Sequence, residues 1–262
     1  MISSVSLVST NAELVQCFRK HLMSLRSLPW RIPISIGTIH DSIENIVRSP
    51  FVQETAIATP GNALGLMNDG FDKHVLKAVD PVNYTQLANQ INAFLVEKNN
   101  GYMPTKLASV ISLSKYGSVS NNVTTIVHVP TMVLPQPLAK TDSHQLVFDC
   151  IWSCCLSLSG TSVSHLILPG FGSGYGGLDP DTVSEITLVC LVLFHLEVEA
   201  SLKQCMILML LQKRMELLQI ESDIANLKHW LSDFGRWKLD HLQEGSPMEL
   251  KDWIRCFDRG NT

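Results

Sequence analysis

At 262 residues, 45% hydrophobic and 17% charged, the chain can bury the core of one large domain or two small ones, and its composition excludes disorder throughout. Twenty Lys plus Arg against 24 Asp plus Glu leave a formal net charge of −4, so a non-specific grip on a phosphate backbone, and nucleic acid as a partner, are not expected. The longest apolar run, residues 186–196, contains His195 and falls short of the roughly 18 to 20 residues that cross a bilayer, so no membrane partner is expected either.

Residues 5–8 read as a first strand. The opening MISSVSLVST carries no basic residue, which argues for a strand over a signal peptide. Asn11 is placed to cap a helix in which Leu14, Val15, Phe18, Leu22 and Leu25 recur at helical spacing. Short strands are expected over 34–36 and 55–58, near Val110, over 126–129 and over 166–168, with a helix over about 143–158. After the 55–58 strand, Pro60, Gly61, Gly65, Asn68, Asp69 and Gly70 form a long loop before helix resumes near Asp72. A second loop, PGFGSGYGG, spans 169–177. From Asp179 an apolar helix is expected, then a buried strand over 205–211, then an amphipathic helix over 212–243. Strands alternating with helices predict an α/β class, with helices on both faces of a largely parallel sheet. The expected division is a domain over 1–211 and a C-terminal helical extension over 212–262.

The seven cysteines are odd in number and contain no CxxC, so neither a disulfide framework nor structural zinc is expected, and a reducing cytoplasm or nucleus is the natural location. Cys150, Cys154 and Cys155 share the 143–158 helix and read as buried thiols, since no activating partner is near in sequence. The histidines other than His128 form no ligand-spaced pair, and no metal site is expected.

Both loops follow a strand and precede a helix, the position at which open α/β sheets bind ligands. Glycine lets backbone N–H groups converge on an anion, and the following helix adds its positive end. The five glycines of 169–177 therefore suit a phosphate cradle, and equally a tight turn. No GxxxxGK[ST] is present and no GxGxxG follows the first strand, which disfavours a P-loop NTPase or a Rossmann dehydrogenase.

Taken in order, TPGNALGLMNDGFDK (59–73), VHVPTM (127–132) and ILPGFGSGYGG (167–177) resemble the macro domain, closest to its fungal branch of ADP-ribose 1''-phosphate phosphatases. The resemblance implies a three-layer α/β/α mixed sheet and hydrolysis of ADP-ribose 1''-phosphate to ADP-ribose and phosphate, with no cofactor and no metal. Its alternatives are a non-catalytic ADP-ribose-binding module and a mono-ADP-ribosyl hydrolase. By that resemblance Asn62 contacts the distal ribose, Gly65 and Gly70 belong to the first loop, and Gly172, Ser173, Gly174 and Tyr175 hold the diphosphate. Tyr175 also covers the distal ribose. Asp72 acts as base or nucleophile, and His128 protonates the leaving oxygen.

On the residues alone, Asn62 could instead close an Asx-turn, Asp72 cap a helix, His128 pack in a strand and Tyr175 lie free on the surface. Three departures from the family pattern stand out. Asn68 and Asp69 replace part of a glycine triplet, putting an amide and a carboxylate where a phosphate would approach. Thr38 stands where many macro domains have the aspartate that accepts from adenine, with Asp41 as a possible substitute. Thr59 replaces an asparagine common in members that remove ADP-ribose from proteins.

Overall fold

The structure is a computed structural model, described here for residues 2–24, 33–48, 54–117, 123–197 and 200–211. The amphipathic helix expected over 212–243, and the whole 212–262 extension, lie outside these residues. Two compact units divide the chain: Met1–Arg19 with Ile32–Thr187, and Lys20–Arg31 with Leu188–Thr262. The sheet and the site belong to the first.

Six strands, β1 (Ser4–Val8), β2 (Ile34–Gly37), β3 (Thr55–Thr59), β4 (Ser109–Ser112), β5 (Val123–His128) and β6 (His165–Pro169), form one sheet in the order β2-β1-β6-β3-β5-β4. Every neighbouring pair is parallel except β4 and β5, so the sheet is mixed. All five residues of β3 and of β6 are buried, as expected for strands covered on both faces. Seven α-helices complete the described residues: α1 (Ala12–Ser24), α2 (Ile39–Arg48), α3 (Gly70–Val79), α4 (Tyr84–Lys98), α5 (Ser143–Ser157), α6 (Pro180–His195) and α7 (Ala200–Leu210). This is the α/β class with a mixed sheet and flanking helices that the sequence predicts.

Local chemistry accounts for the boundaries. Asn11 Oδ1 accepts from the amides of Glu13 (2.9 Å) and Leu14 (3.4 Å), capping α1. Thr38 and Asp41 cap α2 reciprocally: the Asp41 amide donates to Thr38 Oγ1 (3.2 Å), while the Thr38 amide (3.1 Å) and hydroxyl (2.7 Å) donate to Asp41 Oδ2. The expected buried strand over 205–211 is instead helix α7. That segment, CMILMLL, is short and apolar, which periodicity alone cannot assign, but its Met and Leu residues lack the β-branching that favours a strand.

Helices α3 and α4 are amphipathic and bury Val75, Leu76 and Val79 together with Leu87, Ile91 and Leu95 in a cluster that also holds Ile57, Ile126 and Ile167 of the sheet. This packing fixes the first turn of α3 over the carboxyl end of β3. Leu76 is fully buried at its centre, so Leu76→Ala should lower the unfolding free energy by about 2–5 kcal/mol, measured by urea denaturation.

Candidate functional site

Strands β6, β3 and β5 lie side by side and run the same way, so the segments leaving their carboxyl ends emerge together. Between them is a cleft of about 260 Å³ lined by residues of all three: Pro60, Gly61, Asn62 and 68–72 after β3, Thr131, Met132 and Pro135 after β5, and Gly170, Gly172, Gly174, Tyr175 and Gly176 after β6. The cleft lies wholly in the first unit.

The first loop is held by hydrogen bonds that prolong the β3–β5 ladder. Val129 donates to Thr59 (2.9 Å), Thr131 to Gly61 (3.0 Å) and Ala63 to Met132 (2.9 Å). Asn62 closes the turn: its Oδ1 accepts from the amides of Leu64 (3.1 Å) and Leu66 (3.2 Å), and its Nδ2 donates to the Leu66 carbonyl (2.8 Å). An amide has two N–H groups, so one remains for a ligand. The Asx-turn that the residues alone permit is therefore present, and Asn62 still lines the cleft. Gly65 does not line it; this glycine is buried against Met103 and Leu95, behind the loop.

His128, at the end of β5, is fully buried beneath this loop. Its Nε2 donates to the Asn62 carbonyl (3.1 Å), its Nδ1 lies 3.4 Å from Thr59 Oγ1, and a Cβ on Gly61 would overlap the ring. Gly61 is thus required by close approach. Burial pulls the His128 pKa down to about 4, with the Asn62 carbonyl acting the other way, so the ring is neutral near pH 7. His128 is not among the residues that line the cleft, and in this geometry it supports the loop backbone.

Asp72, in the first turn of α3, lines the cleft and is 5% exposed. Its Oδ1 is buried without a partner among the described residues. Burial raises its pKa to about 7, opposed by a hydrogen bond from the Thr59 side chain. Thr59 therefore faces both Asp72 and the Nδ1 of His128. With Nε2 donating, the neutral His128 ring needs a donor at Nδ1, and an ionised Asp72 needs one too; a hydroxyl has one hydrogen to give. The proton on Asp72 and the donor on His128 are coupled through that single group.

The second loop supplies amides. Ser173 N donates to the Gly170 carbonyl (3.3 Å), as does its hydroxyl (2.8 Å), and Gly177 N donates to Gly174 (3.0 Å). Among the described residues no acceptor takes the amides of Gly172, Gly174 or Tyr175. Three of the four expected diphosphate-holding amides are thus free, whereas that of Ser173 is taken inside the turn and Ser173 does not line the cleft. Gly172 adopts φ +78°, a left-handed conformation that glycine takes without strain.

Sequence reasoning did not foresee a bond that links the loops. Tyr175 donates its phenol to Asp69 Oδ2 at 2.9 Å. Asp69 immediately precedes α3, with φ −144° and ψ 172°, and beyond its contact with the Gly70 amide its side chain makes no N-cap hydrogen bond. The Gly70 amide, and then the Tyr175 phenol, hold its carboxyl below the usual range. Gly70, at φ +59°, packs against the same phenol ring. Neither Thr38 nor Asp41 lines the cleft. Burial pushes the Cys155 thiol up to about 12 and those of Cys150 and Cys154 upward too, in keeping with inert buried thiols. No group of three or more metal-ligating side chains occurs among the described residues, nor does a helix long and apolar enough to cross a membrane.

A family model described as a macro-like domain matches residues 36–229. Similar solved structures include a variant of the Oceanobacillus iheyensis macrodomain with ADPR, at 17% identity over 56% of this chain and 73% of that one, with a TM-score of 0.43. The macrodomain of Mycobacterium tuberculosis DarG is similar at 16% identity over 56% and 84%, with a TM-score of 0.40. Thermosipho africanus DarTG in complex with ADP-ribose is similar at 16% identity over 74% and 51%, also with a TM-score of 0.40.

The raised Asp72 carboxyl should be visible in stability. Unfolded, it ionises near 3.8; folded, near about 7. Between those values the native state holds a proton that the unfolded state has lost, so this group's contribution is complete below the first value and is lost as pH rises through the second. Asp72→Asn should accordingly be more stable than the wild type at about pH 8, by about 4 kcal/mol at most, with the gain vanishing at about pH 3.5 in urea titrations. Thr59→Val, which removes the opposing hydroxyl, should move the Asp72 titration to still higher pH in carboxyl-resolved NMR.

Proposed function

Because this chain belongs to the macro-like domain family, we propose that its cleft binds ADP-ribose and that Asp72 hydrolyses a substituent on the distal ribose, the 1''-phosphate ester being the substrate the sequence motifs suggest. One observation carries this reading: a carboxyl with a pKa of about 7 and an unpartnered buried oxygen lines the same cleft as the free amides of Gly172, Gly174 and Tyr175. Amides without acceptors suit a diphosphate, which needs donors and no net protein charge. A carboxyl titrating near neutrality suits a group that must both take and return a proton.

The steps follow from those placements. The diphosphate rests on the second-loop amides, and the remaining N–H of Asn62 meets a ribose hydroxyl. Asp72 takes a proton from the attacking water as it adds to phosphorus, then returns it to the ribose oxygen as the P–O bond breaks. Water and phosphate ester become ADP-ribose and inorganic phosphate. His128 holds the Gly61–Asn62 backbone in position for this reaction and exchanges no proton with the ligand.

A second reading, binding without turnover, is favoured by the charge of the cleft. Its lining residues include two carboxylates and no lysine or arginine to stabilise a transferring phosphoryl group. Titration with ADP-ribose in a calorimeter should give a saturable heat, and incubation with ADP-ribose 1''-phosphate should release inorganic phosphate, a release that Asp72→Ala abolishes. Heat without phosphate would leave the binding module. Heat from neither ligand would remove ADP-ribose from consideration. An assay with mono-ADP-ribosylated protein covers the same pocket acting on a protein-linked ribose.

A further inference from the structure

We infer that Asp69, tied to Tyr175, is a specificity-determining residue that makes the cleft prefer an ADP-ribose whose distal ribose carries no charged group over one bearing a terminal phosphate. This inference rests on the ADP-ribose reading and ranks the ligands within it.

Several observations meet at this residue. Asp69 lines the cleft and is exposed, so its charge acts on whatever enters. Beside its contact with the Gly70 amide at the start of α3, its carboxylate reaches across to the second loop, where the Tyr175 phenol donates to it at 2.9 Å. The first turn of α3 is the natural place for an incoming anion, because its amides lack intrahelical acceptors and carry the positive end of the helix dipole. Asp69 puts a resident carboxylate at that place. A terminal phosphate, close to a dianion at neutral pH, would have to share those amides with it. Hydroxyls of an unsubstituted ribose would instead find an acceptor.

The other groups nearby do not reverse this sign. Asn68 lines the cleft and is neutral, Asp72 adds a second carboxyl, and Lys73, whose charge reaches Asp69, does not line the cleft. Tyr175 aims the carboxylate without neutralising it. The bridge therefore does two separable things: the carboxylate sets the charge preference, and the phenol keeps it over the cleft.

Calorimetric titration of the full chain with ADP-ribose and with ADP-ribose 1''-phosphate, in wild type, Asp69→Asn and Tyr175→Phe, separates them. Wild type should bind ADP-ribose about tenfold more tightly than the phosphorylated ligand at low salt, with the gap narrowing as salt screens the exposed charge. Asp69→Asn keeps an acceptor for Tyr175 and removes the charge. It should tighten the phosphorylated ligand relative to ADP-ribose by about tenfold, closing the wild-type gap. Tyr175→Phe keeps the charge, so wild-type ordering of the two ligands should survive even where both affinities fall. Equal binding of both ligands by wild type, or an Asp69→Asn variant that shifts both alike, overturns the inference while ADP-ribose binding stands. If ADP-ribose binds none of the three proteins, the ADP-ribose reading falls and the inference with it.

Discussion

Parallel pairing of β6, β3 and β5 is the constraint on which the site depends. Strands that run the same way in adjacent positions must release their chains at one edge, so segments far apart in sequence, such as 60–72 and 170–176, share a cleft. The pairing also continues past the strand ends, through the Thr131–Gly61 and Ala63–Met132 hydrogen bonds, which turns a long glycine-bearing loop into an extension of the sheet. His128 completes the arrangement from below. A buried neutral ring that donates to Asn62 and packs under Gly61 leaves that backbone few alternatives. Rigidity here has a functional meaning, because amides aimed at a ligand are effective only if they need not reorganise when it arrives.

The sheet was legible in the sequence because β-branched runs bounded by glycine, proline and polar clusters mark strands that are buried on both faces, as β3 and β6 are. The edge pair was harder: nothing in residues 109–112 distinguishes an antiparallel neighbour from a parallel one. Helix α4 left little trace, because its apolar positions Leu87, Ile91 and Leu95 are interleaved with Thr, Gln and Asn that read as loop. At the site, Asn62, Gly70, Asp72, Gly172, Gly174 and Tyr175, singled out by motif, all line the cleft, whereas Gly65, Ser173 and His128 do not, and what the side chains do was not legible. Asn62 and Ser173 turn most of their hydrogen-bonding capacity inward, a choice set by loop geometry that spacing does not reveal. His128 shows the same limit. The family resemblance implies a proton donor, but the depth at which β5 ends determines that the ring faces a backbone carbonyl.

Two carboxyls three residues apart show how environment alone divides labour. Asp69 is exposed, accepts from the Gly70 amide and the Tyr175 phenol, and remains ionised; Asp72 is enclosed, opposed only by Thr59, and keeps its proton to about pH 7. Their separation matters because two adjacent anions would each raise the other's pKa and make the cleft hostile to any phosphate-bearing ligand. On the proposed reading, a diphosphate would meet amides on one side and the fixed charge of Asp69 on the other. That charge lies on the Tyr175 side of the cleft, over the start of α3, and the neutral acid lies deeper. On that reading, a ligand with its diphosphate on the second loop would present its far ribose to both at once, to an acceptor that reads what the ribose carries and to an acid able to exchange a proton with it.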